Sequence, residues 1–94
     1  MSNPQIDDKG TKKWYNSKGE LHRDYSPAVE WTNGSKEWFR NGKRHREDGP
    51  AWEWHNGTTW WYQNNMIHRE DGPAVEFTYG KKLKLWYING KQIK

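Results

Sequence analysis

The heptapeptide His45-Arg46-Glu47-Asp48-Gly49-Pro50-Ala51 returns as His68-Arg69-Glu70-Asp71-Gly72-Pro73-Ala74, 23 residues further along the chain. A weaker copy, His22-Arg23-Asp24-Tyr25-Ser26-Pro27-Ala28, precedes the first by the same spacing, with Tyr and Ser in place of Asp and Gly. A fixed period of this length is the signature of a repeat protein, in which each unit stacks on the next. We therefore treat residues 1–94 as one domain with units 10–33, 34–56 and 57–79 and a partial unit 80–94.

Short aromatic and β-branched segments within each unit favour strands. Ala51–Trp54 and Lys36–Arg40 are such segments, and no apolar period of 3.6 residues runs through the chain. Asn33-Gly34 and Asn56-Gly57 predict type I′ hairpin turns, because both central residues of that turn need a positive φ. A longer loop, residues 41–49, would join each hairpin to the next. The sequence therefore predicts an all-β fold, an antiparallel meander of repeated hairpins in a single twisted sheet.

Side-chain alternation along the predicted strands separates an apolar face from a charged one. The apolar face would hold Val29, Trp31, Trp52, Trp54, Val75 and Phe77, and the charged face Glu30, Glu53 and Glu76. Only 31% of the residues are hydrophobic, so the aromatic side chains must supply much of the core. We assign that role to the recurring Trp14, Trp38, Trp61 and Trp86. An aromatic face left open on a single sheet predicts a homo-oligomer, most simply a two-fold dimer.

The composition excludes several classes of protein. Without Cys there is neither a disulfide framework nor a thiolate zinc site, which fits a reducing cytosol. No apolar run approaches the ~20 residues of a membrane span, and Met1-Ser2-Asn3-Pro4 does not begin a signal peptide. A net charge of +4 is compatible with an anionic partner but lacks the dense basic tracts of nucleic-acid arms. We expect a soluble cytoplasmic protein that needs no cofactor.

The repeated His-Arg-Glu-Asp cluster offers metal ligands and general bases, but its repetition argues against both uses. Units of two strands lie about 9 to 10 Å apart, too far for equivalent His residues to share one zinc ion. A catalytic group is normally unique, whereas this cluster occurs in every full unit. We therefore predict no catalytic residue, no metal site and no enzymatic activity.

Two interpretations of the charged loop residues remain open. In the structural one, Asp48 and Asp71 cap backbone N–H groups of the turn, while Arg46 and Arg69 pair with acidic groups of the neighbouring unit. In the functional one, the exposed loop residues join Lys43 and Arg44 in a site for anions, since guanidinium groups suit phosphates.

The unit W-Y-x-N-G-K-x-H-R-E-D-G-P-A-x-E, best matched by residues 38–53, resembles the MORN-variant repeats of small phage-encoded proteins. The resemblance covers roughly residues 10 to 91. Small phage proteins of this kind are similar, more loosely, to viral sponges that sequester nucleotide immune signals (anti-CBASS and anti-Thoeris proteins). The resemblance implies a viral protein that takes up a cyclic nucleotide, such as a cyclic dinucleotide, in the host bacterial cytoplasm and so blocks anti-phage defence.

The sequence of unit 34–56 and of the strand after it differs from the other units at positions that suggest a ligand. Trp52 replaces Val29 and Val75, and Trp60 replaces Glu37, so indoles concentrate around one hairpin. Flat aromatic rings beside cations are what nucleobases and phosphates require. The predicted ligand-binding residues are Trp52, Trp54, Trp60, Trp61, Tyr62, Lys43, Arg44, His45, Arg46 and Arg69.

Other functions stay open at this point. The alternative is a protein-interaction repeat module that binds and inhibits a host protein. Binding of single-stranded nucleic acid is ranked lower, because Glu30, Glu53 and Glu76 would interrupt a basic groove. Tyr25, which stands where the full motif has Asp, could cap the stack or meet a ligand.

Overall fold

A computed structural model describes residues 3–94 of the protein. Met1 and Ser2, two of the four residues for which no signal peptide was predicted, lie outside the described residues. Strands of two residues each follow one another along this range, without a helix among them. They are β1 (Gln5–Ile6), β2 (Lys12–Lys13), β3 (Val29–Glu30), β4 (Lys36–Glu37), β5 (Phe39–Arg40), β6 (Lys43–Arg44), β7 (Trp52–Glu53), β8 (Thr59–Trp60), β9 (Tyr62–Gln63), β10 (Met66–Ile67), β11 (Val75–Glu76), β12 (Lys84–Leu85), β13 (Tyr87–Ile88) and β14 (Lys91–Gln92).

Eight strands form one antiparallel sheet in the order β1-β2-β3-β4-β7-β8-β11-β12, and three further hairpins, β5-β6, β9-β10 and β13-β14, lie beyond it. The predicted all-β meander of hairpins is thus confirmed. The single sheet was wrong, because the hairpins divide between one large sheet and three small ones. Each small hairpin is linked to the next by its backbone: Arg46 N–H donates to the Tyr62 carbonyl at 3.2 Å, and Asn65 N–H to the Arg44 carbonyl at 2.9 Å. Two parallel sets of backbone hydrogen bonds therefore join successive units.

The turns of the large sheet differ from the prediction. At Asn33-Gly34 and Asn56-Gly57 only the glycines have a positive φ, 95° and 96°. Gly34 N–H donates to the Trp31 carbonyl at 3.0 Å, as in a type I turn followed by a left-handed glycine. The type I′ prediction for these two pairs was wrong, because five residues connect the paired strands there, residues 31–35 and 54–58.

Two consecutive positive φ angles occur instead in the small hairpins. Asn41 and Gly42 have φ of 50° and 81°, and Asn64 and Asn65 have 50° and 69°. Each pair forms the two-residue connection that a type I′ turn supplies, joining β5 to β6 and β9 to β10. The predicted loop 41–49 was therefore wrong in its first half, which contains a turn and a strand.

Strand register confirms the predicted separation of faces. Val29, Glu37, Trp52, Trp60 and Val75 occupy one cross-strand row of the large sheet. The neighbouring row mostly alternates in charge and consists of Ile6, Lys12, Glu30, Lys36, Glu53, Thr59, Glu76 and Lys84. Opposite charges in directly paired positions favour this register over a slipped one.

The core is built from small side chains. The alanine that follows Pro in each loop, Ala28, Ala51 or Ala74, is fully buried together with Val75 and, nearly so, Val29. Of the four recurring indoles only Trp14 is buried, so the core assignment was wrong for the other three, which are half-buried. A cation covers one ring face of each instead, which leaves the ring edge in contact with solvent.

Residues 3–94 include no helix of the length and hydropathy needed to cross a membrane.

Candidate binding site

Seven aromatic side chains gather around β7, β8 and the neighbouring small hairpins, and none of the seven is buried. We call this set the aromatic face; its members are Trp31, Phe39, Trp52, Trp54, Trp60, Tyr62 and Phe77. Trp31 and Trp54 are the most open, with 39% and 37% of their surface exposed. The strands place these residues together because inward-facing positions of adjacent units follow one another across the sheet.

Five of the seven rings, all except Trp31 and Phe39, touch one another in a continuous series. The centroids of Trp52 and Trp60 lie 5.9 Å apart, and Trp54 meets Trp52 edge-on at 5.7 Å. Tyr62 stacks on Trp60 at 6.4 Å with an interplanar angle of 20°, while Phe77 meets the same indole edge-on. Such contacts hold the rings in fixed orientations without covering their outer faces.

An ion pair between buried Glu37 and half-buried Arg44 lies beside this face. Glu37 is only 5% exposed and accepts a hydrogen bond from Trp31 Nε1–H at 2.7 Å and from Arg44 Nη2–H at 2.8 Å. The Arg44 guanidinium carbon lies 4.7 Å from the Trp52 ring centroid and 5.6 Å from that of Tyr62. The positive charge of Arg44 is therefore already neutralised and enclosed by aromatic rings.

Sequence reasoning missed Glu37 and Trp31 as members of the site. A signal was present, since Glu37 occupies an inward-facing position that Trp60 and Leu85 fill in the following units. A carboxylate at such a position indicates a buried partner, because an unpaired charge there would be costly.

Two N–H donors of the aromatic face lack a partner among residues 3–94. Arg44 Nε and Trp52 Nε1 are both buried and make no hydrogen bond. Each unpaired buried donor costs about 1–3 kcal/mol of stability.

Burial raises the pKa of the Tyr62 phenol above its ordinary value of 10.0, an effect that nearby Arg44 opposes and Glu37 reinforces. The phenol is therefore neutral at physiological pH and remains a hydrogen-bond donor at the edge of the aromatic face.

The remaining predicted residues lie on a different side of the chain. We call it the loop face, formed by residues 22–27, 45–50 and 68–73. Arg46 stacks on Trp38 at 3.8 Å, and Arg69 on Trp61 at 3.9 Å. Because Trp60 and Trp61 are consecutive in an extended chain, their side chains point to opposite faces. The alternation rule could have separated them from the sequence alone.

The charged loop residues pair within their own unit. Arg46 Nη1–H donates to Glu53 at 3.2 Å and to the Pro50 carbonyl at 3.0 Å, while its Nε–H donates to Asp48 at 3.4 Å. Arg69 repeats the arrangement with Asp71 at 3.0 Å. The prediction of pairing with the neighbouring unit was wrong.

The predicted caps were also wrong. Asp48 and Asp71 accept hydrogen bonds from guanidinium groups and not from backbone N–H groups of the turn. The reason is geometric: the Arg two residues earlier folds back over its own Trp and brings Nε to the carboxylate.

The repeated histidines join one unit to the next. His45 is buried; its Nδ1 accepts a hydrogen bond from Asn64 N–H at 3.1 Å, and its Nε2 lies 3.3 Å from Glu47. His22 and His68 make the same bond to the backbone of Asn41 and Asn89, both at 2.9 Å. The hydrogen bond from His45, followed by the charge of Arg40, lowers the pKa of Glu47 below its usual value.

These histidines are used as acceptors for the turn of the next unit. Within residues 3–94 the structure brings no three His, Asp or Glu side chains together in a group that could hold a metal ion.

The ten predicted site residues therefore separate into sets. Trp52, Trp54, Trp60 and Tyr62 belong to the aromatic face, with Arg44 beside them. His45, Arg46 and Arg69 belong to the loop face, with Trp61 in contact with Arg69, and Lys43 is exposed on β6. The chain matches no known family model, no curated protein and no solved structure.

Proposed function

We propose that this chain is a non-enzymatic binding protein whose aromatic face stacks on the bases of a small nucleotide, such as a cyclic dinucleotide immune signal that it sequesters in infected bacteria. The observation that carries the proposal is the series of five touching aromatic rings, none of them buried, in a chain with few aliphatic side chains. A large open aromatic surface is costly for a protein that has no partner for it.

The chemistry of the face suits a planar ligand. Stacking of a base on an indole contributes about 1–3 kcal/mol per base and tolerates different bases. The unpaired N–H groups of Arg44 and Trp52 can add hydrogen bonds to ligand acceptors, if a small rotation of either side chain exposes them. Because Arg44 is paired with Glu37, we expect stacking to supply most of the affinity and salt to weaken it only moderately.

The proposal is tested by calorimetric titration with cyclic di- and trinucleotides and ADP-ribose derivatives. We expect Trp54→Ala to weaken binding of the responsive nucleotide at least tenfold, because Trp54 offers an open ring face. Tyr79→Ala is the matched control, since Tyr79 is 60% exposed and outside the aromatic face. Chromatography after long incubation should return the ligand unchanged. Turnover of the nucleotide, or equal effects of the two substitutions, would contradict the proposal.

A second candidate, binding of a host protein, is favoured by one observation. Arg44, Arg46 and Arg69, three cations of the predicted phosphate clamp, are each hydrogen-bonded to a carboxylate. Trp, Tyr and Arg are also the residues that dominate protein interfaces. This candidate predicts a host complex that saturating nucleotide leaves intact and that Trp54→Ala disrupts, as measured by size-exclusion chromatography.

A further inference from the structure

The three loops of the loop face differ in the hydrogen bonding of the Arg Nε–H group. In units 34–56 and 57–79 the Arg Nε–H donates to the side chain of Asp48 or Asp71. Arg23 makes the same contacts to its Trp, at 3.7 Å, and to the Pro27 carbonyl, at 3.2 Å. Its Nε, however, has no hydrogen-bond partner among residues 3–94, since Tyr25 stands where the other units have Asp.

The difference in sequence explains the difference in structure. A Cβ at Gly49 would lie 2.7 Å from the Arg46 Cζ, and one at Gly72 2.9 Å from the Arg69 Cζ, so this position of the guanidinium needs glycine in the loop. Unit 10–33 has Ser26 at that position, and a Ser side chain in the same place would strike the Arg23 guanidinium. The loop adopts another path, with Tyr25 at a φ of 66°, an uncommon value for a bulky residue.

The open edge of Arg23 is accessible. Its side chain is 31% exposed, against 24% for Arg46 and 21% for Arg69. Glu30 is its only carboxylate neighbour within residues 3–94, at 3.4 Å, whereas Arg46 and Arg69 have two each. Asp24, the nearest further acid in the loop, points to His22 Nε2 at 3.1 Å. One carboxylate position beside Arg23 is therefore unfilled.

The surroundings offer room for more than a single ion. Tyr25 is fully exposed, and beside it a groove of about 600 Å³ runs between the loops of units 10–33 and 34–56. Arg23 and Tyr25 both line this groove, as does Arg40, which is 54% exposed and paired with Glu47 at 3.4 Å. The carboxylates of the groove, Asp24, Glu47 and Asp48, each lie beside a cationic or histidine side chain of the loops. An exposed aromatic ring next to an incompletely paired guanidinium is a combination that anchors protein partners.

We infer that Arg23 and Tyr25 form a docking point for an acidic segment of a partner polypeptide. One Asp or Glu side chain of the partner would accept a hydrogen bond from Arg23 Nε–H, as Asp48 and Asp71 do in the other units. An adjacent apolar or aromatic residue would pack on Tyr25. The site lies on the loop face and is independent of the function proposed for the aromatic face.

The test follows the Arg Nε–H resonances by NMR while a blocked tetrapeptide, acetyl-Trp-Gly-Asp-Gly-amide, is added at constant ionic strength. We expect the Arg23 signal to shift saturably, with smaller shifts for Arg46 and Arg69. The Asn version of the peptide should bind at least fivefold more weakly, and sodium acetate at least tenfold more weakly. Equal affinity for acetate and the Asp peptide would overturn the assignment to a polypeptide, and equal affinity for the Asn version would overturn the carboxylate.

The chain supplies its own matched control. The double variant Tyr25→Asp with Ser26→Gly restores the motif of the other units, so the new Asp side chain should occupy the position beside Arg23. The affinity for the Asp peptide should then fall at least fivefold, while the protein remains folded. Conversely, Asp48→Ala frees Arg46 Nε–H but supplies no aromatic side chain in place of Tyr25, so the stoichiometry should stay at one peptide. Unchanged binding in the double variant would overturn the proposal, and a second peptide bound with equal affinity by Asp48→Ala would overturn the role of Tyr25.

Discussion

Glu37 carries a charge into a surface that is otherwise aromatic, and the two neighbours that hold it come from different segments. Trp31 precedes it by a turn and Arg44 follows it across a small hairpin. A single carboxylate thus fixes the orientation of an indole of the large sheet and of a guanidinium beyond it. Its contribution to specificity of packing is separate from its net contribution to stability, which desolvation reduces.

We expect Glu37→Gln to lower the free energy of unfolding by about 2 kcal/mol, because it removes charge from two hydrogen bonds of a buried group. The double variant Glu37→Leu with Arg44→Ile, which introduces the residue types of Leu85 and Ile67 in later units, should regain most of that loss. Urea denaturation of the three proteins measures both effects. A double variant less stable than Glu37→Gln would show that the ion pair itself stabilises the fold.

Gly49 leaves the space that the Arg46 guanidinium occupies when it stacks on Trp38. Gly49→Ala should cost about 1–3 kcal/mol of stability, because its Cβ displaces the Arg46 guanidinium from Trp38. In an Arg46→Ala background the same substitution should cost much less, and a double-mutant cycle by chemical denaturation measures the coupling. Additive costs would mean that the strain lies in the backbone.

Tyr62 gives a pH dependence whose sign follows from its raised pKa. The unfolded chain ionises at the ordinary phenol value of 10.0 while folded Tyr62 stays neutral, so its contribution to stability is complete below that pH. The contribution is lost as the pH rises through the folded pKa. We expect Tyr62→Phe to show a shallower alkaline loss of stability than the wild type, in thermal unfolding from pH 8 upward. Identical alkaline profiles would contradict the assignment.

Some of these residue roles were within reach of the sequence and others were not. Alternation and register predicted the burial of Val29 and Val75 opposite the glutamates. The pairing of Arg46 with Glu53 was not predictable, because it depends on the guanidinium folding over Trp38. The identity of the Glu37 partner, Arg44, was not predictable either, because a hairpin brings Arg44 close in a segment that the sequence predicts as a loop.

At the scale of elements, strands of two residues cannot hold a hairpin by themselves, and the histidines supply additional links. His45→Ala removes the acceptor of Asn64 N–H and leaves a gap in a buried position. We expect a loss of about 2–3 kcal/mol, combining the unpaired donor with lost packing.

Hydrogen exchange distinguishes this role from general destabilisation. The amide of Asn64 should lose protection well before those of β7 and β8, while Asn41 and Asn89, held by the other histidines, keep theirs. Uniform loss of protection across all three turns would show that the link is not local.

Turn chemistry illustrates how far sequence can be read at this scale. The Asn-Gly pairs predicted hairpins correctly, yet the same dipeptide adopts one positive φ at Asn33-Gly34 and two at Asn41-Gly42. The number of residues between paired strands decides the outcome, and that number depends on long-range pairing. Asn64-Asn65, which lacks glycine, forms the two-residue turn all the same.

At the scale of the molecule, the repeat produces a thin body, with principal extents of 39 × 26 × 16 Å. A body this thin has little interior, which is why alanines make up so much of the core and the large rings lie at the surface. The period in the sequence predicted the stacked units; it could not predict how few side chains they enclose.

The homo-oligomer remains a prediction; we expect it to form at the aromatic face in the absence of nucleotide, and a bound nucleotide would compete with it for the same rings. We expect sedimentation at micromolar concentration to show a dimer, and Trp54→Lys to shift it to monomer, because a charge would be placed among apolar rings. Tyr79→Lys, at an exposed ring outside the face, is the control. A monomeric wild type would leave the aromatic face to a ligand or another partner.

The close approach of Trp52 and Trp60 also gives the molecule an optical property. Two indoles whose centroids lie 5.9 Å apart at a tilt of 33° have coupled electronic transitions, so they add a signed couplet to the circular dichroism of the chain. The short strands contribute a weak signal of their own. Loss of the couplet in a Trp60 variant would thus report the loss of the interaction between the two indoles while the backbone stays folded. A molecule bound on the exposed faces of these rings would alter the same band.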